Sequence, residues 1–186
     1  MNQNERMIIM KNTRNTSSEN LKRLTTAGAL AALTTVFTLL IQIPSPTKGY
    51  INLGDTVVNL AGWILGPLYG GAAAGIGSAL ADLISGYTVY APATLIIKAA
   101  MAVAAFYVYN HAARKWKSLP ARIASAIVSE AVMVTGYAVF AGFLYGSAAT
   151  AFLSIPENLV QGAVGAAVSV TLYELILKRI PKRVLP

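Results

Sequence analysis

The chain of 186 residues contains no cysteine and a single histidine, His111. The absence of cysteine excludes disulfide bonds, thiolate metal sites and cysteine nucleophiles. One histidine cannot supply the several His or Cys ligands of the common zinc sites. His111 lies in a basic stretch between apolar segments, and we interpret it as an interfacial residue. No metal-binding residue is therefore predicted, and neither cysteine chemistry nor a common zinc site is expected.

Charged side chains are also scarce. They make up 12% of the chain, whereas hydrophobic residues make up 55%, and the mean hydropathy is +0.57. A soluble domain carries about 25% charged residues, so this composition cannot cover a water-facing surface. Because the apolar residues come in long uninterrupted runs, the sequence predicts an integral membrane protein.

Six apolar segments are predicted to cross the membrane as helices. The first is about as long as a bilayer is thick. The second and third are short, are separated by the turn signal Gly66-Pro67, and are expected to be tilted or buried among longer helices. The predicted spans are residues 24–43, 56–65, 69–83, 92–110, 121–145 and 157–177.

The distribution of basic residues predicts the orientation. Thirteen of the fifteen Lys and Arg residues form three clusters, each next to the end of an apolar run. Six crossings with the amino terminus inside place all three clusters in the cytoplasm, as the positive-inside rule requires, whereas five crossings would place one outside. No aromatic-interleaved basic face accompanies them, which argues against nucleic-acid binding. The clusters are Arg6, Lys11, Arg14, Lys22 and Arg23; Arg114, Lys115, Lys117 and Arg122; and Lys178, Arg179, Lys182 and Arg183.

These observations predict the fold class and the domain organisation. We expect an all-α, polytopic protein of the plasma membrane, with six transmembrane helices and both termini cytoplasmic. Residues 1–20 are polar and lack the features of a signal peptide, so they are predicted to be a flexible cytoplasmic leader. Residues 21–186 are predicted to form a single six-helix membrane domain.

A few ionisable residues fall inside or at the ends of the predicted spans. Such groups are costly in lipid and usually face a cavity or a partner. Asp55 and Glu157 stand at helix starts, where they can act as caps, contact a ligand, or do both. Lys98 and Glu130 lie deeper and can pair with each other or with Asp82, or belong to a binding site. Glu174 lies four residues before Lys178, the spacing of a helix-surface ion pair.

The polar and aromatic residues collect in the outer half of the predicted bundle, as in a site for a small, flat, polar molecule. Tyr50 and Tyr145 lie near the same side; for Tyr145 we favour a place in the aromatic belt at the headgroups. The predicted substrate-binding residues are Asn52, Asp55, Asn59, Asp82, Tyr87, Tyr90, Lys98, Glu130, Tyr137, Glu157, Asn158 and Gln161.

Motifs for energy coupling or hydrolysis are missing from the sequence. It has no GxxxxGK[ST] phosphate-binding loop, and no GxSxG or HExxH pattern. The chain is therefore predicted to be a binder or transporter that depends on partners for energy. Two other classes stay open: a membrane-embedded enzyme that uses Asp82, Lys98 and Glu130 for acid–base chemistry, and an assembly subunit without a ligand.

A resemblance to a known family is carried by residues 51–102, which read INLGDTVVNLAGWILGPLYGGAAAGIGSALADLISGYTVYAPATLIIKAAMA. Their elements LGD, GPLYGG, ADLISGY and YAPATLIIK resemble the signature region of the S components of energy-coupling factor (ECF) vitamin transporters. The resemblance extends over all six predicted helices. It is closest to the branch assigned to hydroxymethylpyrimidine or pyridoxine-type precursors, near the riboflavin S components.

The resemblance implies a function and a set of partners. An S component captures a vitamin from outside, here beneath residues 44–54 as a lid, and topples in the membrane. Import requires a membrane coupling subunit and two ATPases, which bind ATP and Mg; no cofactor is expected in this chain. Riboflavin and pantothenate are the alternative substrates. Small residues of the first helix, which let helices approach closely, are expected to dock on the coupling subunit. These are Ala27 and Ala31, with the parallel pair Gly28 and Ala32.

Overall fold

A computed structural model describes residues 3–44 and 49–180, except for the side chains of residues 3, 4 and 6–17. The helices are α1 (Gln3–Leu40), α2 (Gly54–Ile84), α3 (Ala91–Ala112), α4 (Ser118–Tyr145) and α5 (Ala148–Leu175), followed by a 3₁₀ turn (Leu177–Arg179). Two short strands, β1 (Ile43–Pro44) and β2 (Tyr50–Ile51), pair antiparallel between α1 and α2.

Five of these helices are long and apolar enough to cross a membrane, with Ser18–Leu40 as the apolar part of α1. This confirms the prediction of an all-helical membrane protein. Large apolar side chains point outwards, as in Phe143, which is 86% exposed. The described residues of the predicted leader, from residue 3 onwards, belong to α1, the helix that also contains the first span. The boundary between leader and membrane domain at residue 20 stays a prediction.

Helix α2 contains the predicted second and third spans and breaks between them. Gly66 has φ +77° and ψ −171°, a conformation that only glycine adopts without strain. Pro67 follows and lacks the backbone N–H that a continuing helix would need. A Cβ added at Gly70 would collide with the carbonyl of Ala61, although nine residues span about 13 Å in an unbroken helix. Residues 54–65 and 67–84 therefore form a hairpin of two antiparallel arms.

The hairpin forms the centre of the bundle. Its arms pack on α1, α3 and α5, and α4 joins α3 to α5. The helices approach closely at small residues: a side chain at Gly62 would overlap the backbone of Ala102, and one at Gly77 would overlap that of Ala31. Such close packing holds helices together in lipid, where no hydrophobic force drives their association.

The observed bounds of α3 and α4 agree with the predicted spans, but the predicted start of the last span is wrong. Helix α5 begins at Ala148, and Pro156 lies within it. Membrane helices tolerate an interior proline where polar side chains contact the disturbed backbone. Here Ser154 donates to the carbonyl of Ala151, and Asn158 to the carbonyl of Ser154. Glu157 is therefore an interior residue of α5 and does not cap its start.

Candidate functional site

A pocket opens at the end of the bundle where both arms of α2 have their free ends, opposite the Gly66 turn. The space inside it that a water-sized molecule can occupy is about 50 Å³, below the range of about 300–1,000 Å³ typical of ligand sites. We call it the tyrosine pocket. It is lined by Gly49, Tyr50, Ile51 and Asn52 of the connection before α2, by Asp82, Tyr87, Tyr90 and Thr94, by Tyr137 and Ala141 of α4, and by Ser154, Glu157, Asn158 and Gln161 of α5.

Most of the predicted substrate-binding residues line this pocket, and the others lie beneath it. Asp55, Asn59, Lys98 and Glu130 belong to buried polar contacts deeper in the bundle. Whether any of these residues contacts a substrate stays a prediction. Of the lid predicted for residues 44–54, residues 45–48 lie outside the described residues. Lys182 and Arg183 of the last basic cluster also lie outside them. The side chains of Arg6, Lys11 and Arg14 lie outside them as well.

The predicted substrate-binding set omits three polar lining residues, although Tyr50 was placed near the same side, and spacing could have identified them. Thr94 lies four residues before Lys98, and Ser154 lies four before Asn158 and seven before Gln161, so each shares a helix face with a predicted residue. Tyr50 lies two residues before Asn52, which places both on one side of an extended segment.

Tyrosine rings form one wall of the pocket. The ring centroids of Tyr50 and Tyr87 are 4.7 Å apart, and those of Tyr87 and Tyr90 are 6.4 Å apart. Phe140 extends the wall behind Tyr90, at 5.3 Å. The Tyr90 and Tyr145 hydroxyls are 3.1 Å apart, so Tyr145 supports the wall. Aromatic pairs at such distances stabilise each other and present large flat surfaces.

Tyr50 connects the loop before α2 to the end of that helix. Its hydroxyl donates to Oδ1 of Asp82 over 2.6 Å. Burial, together with the neighbouring Asp82 carboxylate, raises the pKa of the Tyr50 phenol, so the phenol keeps its proton and is the donor. Oδ2 of Asp82 is buried and accepts no hydrogen bond from the described residues.

Gln161 joins three parts of the chain at the floor of the pocket. Its Oε1 accepts from the backbone N–H of Asn52 (2.9 Å) and from Nδ2 of Asn52 (3.1 Å). Its Nε2 donates to Oδ2 of Asp55 over 2.6 Å. Asn52 in turn accepts from the N–H of Gly54. The loop before α2 is therefore fixed to α5 and α2 through one amide side chain.

Asp55 forms a buried ion pair with Lys98 of α3; the two side chains are 0% and 2% exposed. The interpretation of Asp55 as a helix cap is wrong. Leu53 precedes the helix and makes no side-chain capping bond, whereas the Asn52 side chain binds the first N–H. Among the described ion pairs, Lys98 pairs with neither Glu130 nor Asp82. A lone charge would be costly at this depth, and pairing offsets that cost.

Glu130 lies beneath the pocket, against α5. Its Oε1 accepts from Nδ2 of Asn59 over 2.9 Å, and Asn59 also reaches Ser169 at 3.4 Å. The Glu130 side chain packs on Gly162 and Gly165. Asp82, Lys98 and Glu130 therefore bind three different partners, and the described contacts give no acid–base constellation of these three groups. No group of three metal-ligating side chains occurs among the described residues.

At the opposite end of the bundle, Arg122 is buried, whereas the sequence groups it with the cytoplasmic basic cluster of Arg114, Lys115 and Lys117. Its guanidinium lies 4.7 Å from the ring centroid of Trp63, 4.1 Å from that of Tyr109 and 3.3 Å from that of Tyr173. Glu174 lies 3.7 Å from the Arg122 Nε and accepts from Lys178 over 2.7 Å. The predicted pair of Glu174 and Lys178 is thus confirmed, and the same carboxylate also lies within ion-pair distance of Arg122.

The predicted docking residues divide into a covered pair and an open pair. Ala27 is buried against the core of α1 and α2, and Ala31 lies against Gly77. Ala27 is 8% exposed, and whether it contacts a partner stays a prediction. Gly28 and Ala32 are exposed, and no described atom would meet a side chain at Gly28.

Comparison with known proteins agrees with this architecture. A solved structure titled "Structure and mechanism of the S component of a bacterial ECF transporter" matches with a TM-score of 0.70 and 25% identity, over 86% of this chain and 97% of that one. The crystal structure of an S component for biotin from an ECF-type ABC transporter matches in fold, with a TM-score of 0.65 and 18% identity, over 90% of this chain and 97% of that one.

Sequence comparison identifies the family. A Pyrococcus woesei protein named "Uncharacterized protein in gap 3'region" is 52% identical over 65 residues, which are 34% of this chain and 43% of that protein. The chain thus covers less than half of that relative. The sequence profile of the family "ECF-type riboflavin transporter, S component" matches residues 18–179. Since this match covers most of the chain, the protein belongs to the ECF-type riboflavin transporter S component family.

Proposed function

We propose that the chain is the substrate-binding subunit of an ECF-type vitamin importer. It captures a small vitamin or precursor, of the hydroxymethylpyrimidine or pyridoxine type, in the tyrosine pocket beneath residues 44–54. The observation that carries this proposal is the pocket itself: an aromatic wall, a buried carboxylate and amide groups converge at one end of the bundle. Riboflavin and pantothenate are the alternative substrates.

In the proposed topology, the two arms of α2 each cross the plasma membrane, which gives six crossings and two cytoplasmic termini. The described basic residues support this orientation. Arg23 lies beside the Gly66–Pro67 turn and Phe106, and Lys178 lies beside Arg122 through Glu174. Both groups lie at the end opposite the tyrosine pocket. By the positive-inside rule that end faces the cytoplasm, so the pocket faces outwards.

The proposed partners are a membrane coupling subunit and two ATPases that bind ATP and Mg. This proposal is supported by the absence of a phosphate-binding loop from the sequence. The exposed small pair of Gly28 and Ala32 is the part of the predicted docking motif that a partner helix can approach closely.

The direct test is binding by the purified chain in detergent. Hydroxymethylpyrimidine, pyridoxine, riboflavin and pantothenate are titrated separately by calorimetry. We expect saturable binding of at least one of them, and co-purification of the coupling subunit and both ATPases when they are co-expressed. If the chain binds none of the four compounds, the proposed function is wrong. Chemical conversion of a bound compound would indicate an enzyme instead.

A further inference from the structure

A second cavity lies at the other end of the bundle, where α1 passes the turn of the hairpin. The space in it that a water-sized molecule can occupy is about 260 Å³, compared with about 50 Å³ in the tyrosine pocket, and the two share no described lining residue. We call it the turn cavity. It is lined by Arg23 of α1, by Ile64, Leu65, Gly66 and Pro67 of the hairpin, and by Phe106 of α3.

Arg23 is the charged member of this lining, and its side chain has no partner among the described residues. Glu19 lies four residues earlier, the spacing of a helix-surface ion pair, but the described ion pairs do not include Arg23. The described hydrogen bonds and ring contacts do not include its guanidinium either. A guanidinium presents a planar fork of N–H donors that matches phosphate oxygens. Arg23 can therefore bind an anionic group at this cavity.

The surroundings of Arg23 are apolar and lie where α1 enters the membrane. The other five lining residues have no polar side-chain atom. The apolar part of α1 begins at Ser18, five residues before Arg23, which is about 7 Å along a helix. Leu24 and Leu68, which directly follow lining residues, are 62% and 76% exposed and contact lipid chains at this depth. A cation beside an apolar surface at the membrane interface fits an anionic amphiphile better than a soluble anion.

We propose that the turn cavity binds one anionic phospholipid, with its phosphate on the Arg23 guanidinium and an acyl chain along Phe106 and Leu68. Basic pockets between membrane helices recognise anionic headgroups in this way. The inference goes beyond the proposed function, because it concerns the end of the bundle away from the substrate site. Only the leaflet rests on the proposed orientation, which places this lipid on the cytoplasmic side. The bound lipid links α1 to the hairpin turn and α3, and stabilises the folded chain.

The test is native mass spectrometry of the full chain in a neutral detergent. Phosphatidylglycerol and phosphatidylcholine with the same acyl chains are titrated separately. We expect one phosphatidylglycerol to bind about fivefold more tightly than phosphatidylcholine, the contribution of one Lys or Arg near an anionic surface. Arg23→Gln removes the guanidinium at an exposed position, so the chain should stay folded. This variant should reduce the preference to less than about twofold.

Lys22→Gln is the matched control. Lys22 is the exposed neighbour of Arg23 and does not line the turn cavity. The control removes one positive charge from the same turn of α1, but it should leave the preference at about fivefold. The position of the lipid is read separately. A phosphatidylglycerol with a photoreactive acyl chain should label residues 64–68 or 106 in the wild type, and label them less in Arg23→Gln.

Four results would overturn this inference. Equal losses in Arg23→Gln and Lys22→Gln would indicate a general attraction between the basic end of the bundle and anionic lipid. Displacement of the lipid by millimolar inorganic phosphate would indicate a site for a soluble anion. Labelling elsewhere in the chain, or no bound phosphatidylglycerol, would show that the turn cavity holds no such lipid. None of these results concerns vitamin binding, so the proposed function is tested separately.

Discussion

Lys98 of α3 and Asp55 of α2 form an ion pair that is almost completely buried in the membrane domain. The pair joins the first arm of the hairpin to α3, and Asp55 also accepts a hydrogen bond from Gln161 of α5. Three helices are thus linked by one pair of charges directly beneath the tyrosine pocket. The pair therefore contributes both to stability and to the shape of the pocket floor.

Removal of either charge alone should destabilise the protein. In Asp55→Asn or Lys98→Met the remaining charge is buried without its partner, which typically costs about 3–5 kcal/mol of unfolding free energy. The double variant removes both charges and should recover much of this loss. Denaturant unfolding of the four proteins in detergent gives the coupling energy. Additive losses in the double variant would show that the two residues act independently.

Gln161 is expected to hold the loop before α2 against the pocket. In Gln161→Ala, Asn52 loses both of its bonds to Oε1, and the loop is released from α5. At about 1 kcal/mol for each bond, ligand affinity should fall roughly 10- to 30-fold. The loss should appear mainly as faster dissociation, measured by stopped-flow fluorescence of the tyrosines.

Asn110→Ala is the matched control for this prediction. Asn110 is an exposed amide that donates to the carbonyl of Phe106 over 2.9 Å, and it does not line the tyrosine pocket. Its removal should change the dissociation rate by less than about twofold, because a single exposed bond away from the ligand is lost. Equal effects of the two variants would mean that Gln161 has no special role.

The location of the candidate site could be read from the sequence, whereas its pairings could not. Ionisable groups are rare in membrane helices, so Asp82, Lys98 and Glu130 are conspicuous in any window of the sequence. Which of them meet depends on the rotation of each helix about its axis, which the packing of small residues decides. Gly165 packs on both Asp55 and Glu130, a contact that no local pattern predicts.

The bounds of the helices also divide into those that the sequence predicts and those that it does not. The uninterrupted apolar run of α4 predicts its extent, and the Gly66-Pro67 signal predicts the turn of the hairpin. Pro156 gives a misleading signal because, in a soluble protein, it would mark a helix start. Arg122 was grouped with its basic sequence neighbours, and no local pattern indicates that it is buried. The three rings that enclose it come from residues far apart in sequence.

The enclosure of Arg122 should stabilise the inner end of the bundle without affecting the ligand. Arg122→Ala leaves Glu174 half-buried beside the emptied space and removes contacts with three rings, so unfolding free energy should fall by about 3 kcal/mol. Arg122→Lys keeps the charge but loses the flat guanidinium, so its free energy of unfolding should lie between those of the wild type and Arg122→Ala. Affinity for the ligand should stay within about twofold, since the tyrosine pocket lies at the other end.

Arg114→Ala serves as the control, because Arg114 is an exposed member of the same basic cluster. Substitutions of such surface residues usually change stability by about 0.5 kcal/mol or less. A ligand affinity that falls with Arg122→Ala in a fully folded protein would contradict a purely structural role.

The open face of α1 gives a prediction about assembly. In the double variant Gly28→Leu with Ala32→Leu, two bulky side chains replace the exposed small pair and should prevent close approach of a partner helix. We expect recovery of the coupling subunit and ATPases on co-purification to fall about tenfold, at a cost of about 1.4 kcal/mol, with unchanged ligand binding by the isolated chain. Ala100→Leu, at an exposed position of α3, should leave recovery intact. Ala27→Leu should instead lower stability by about 1–3 kcal/mol, because it overpacks the core of α1 and α2. Normal assembly of the double variant would show that partners dock on another face.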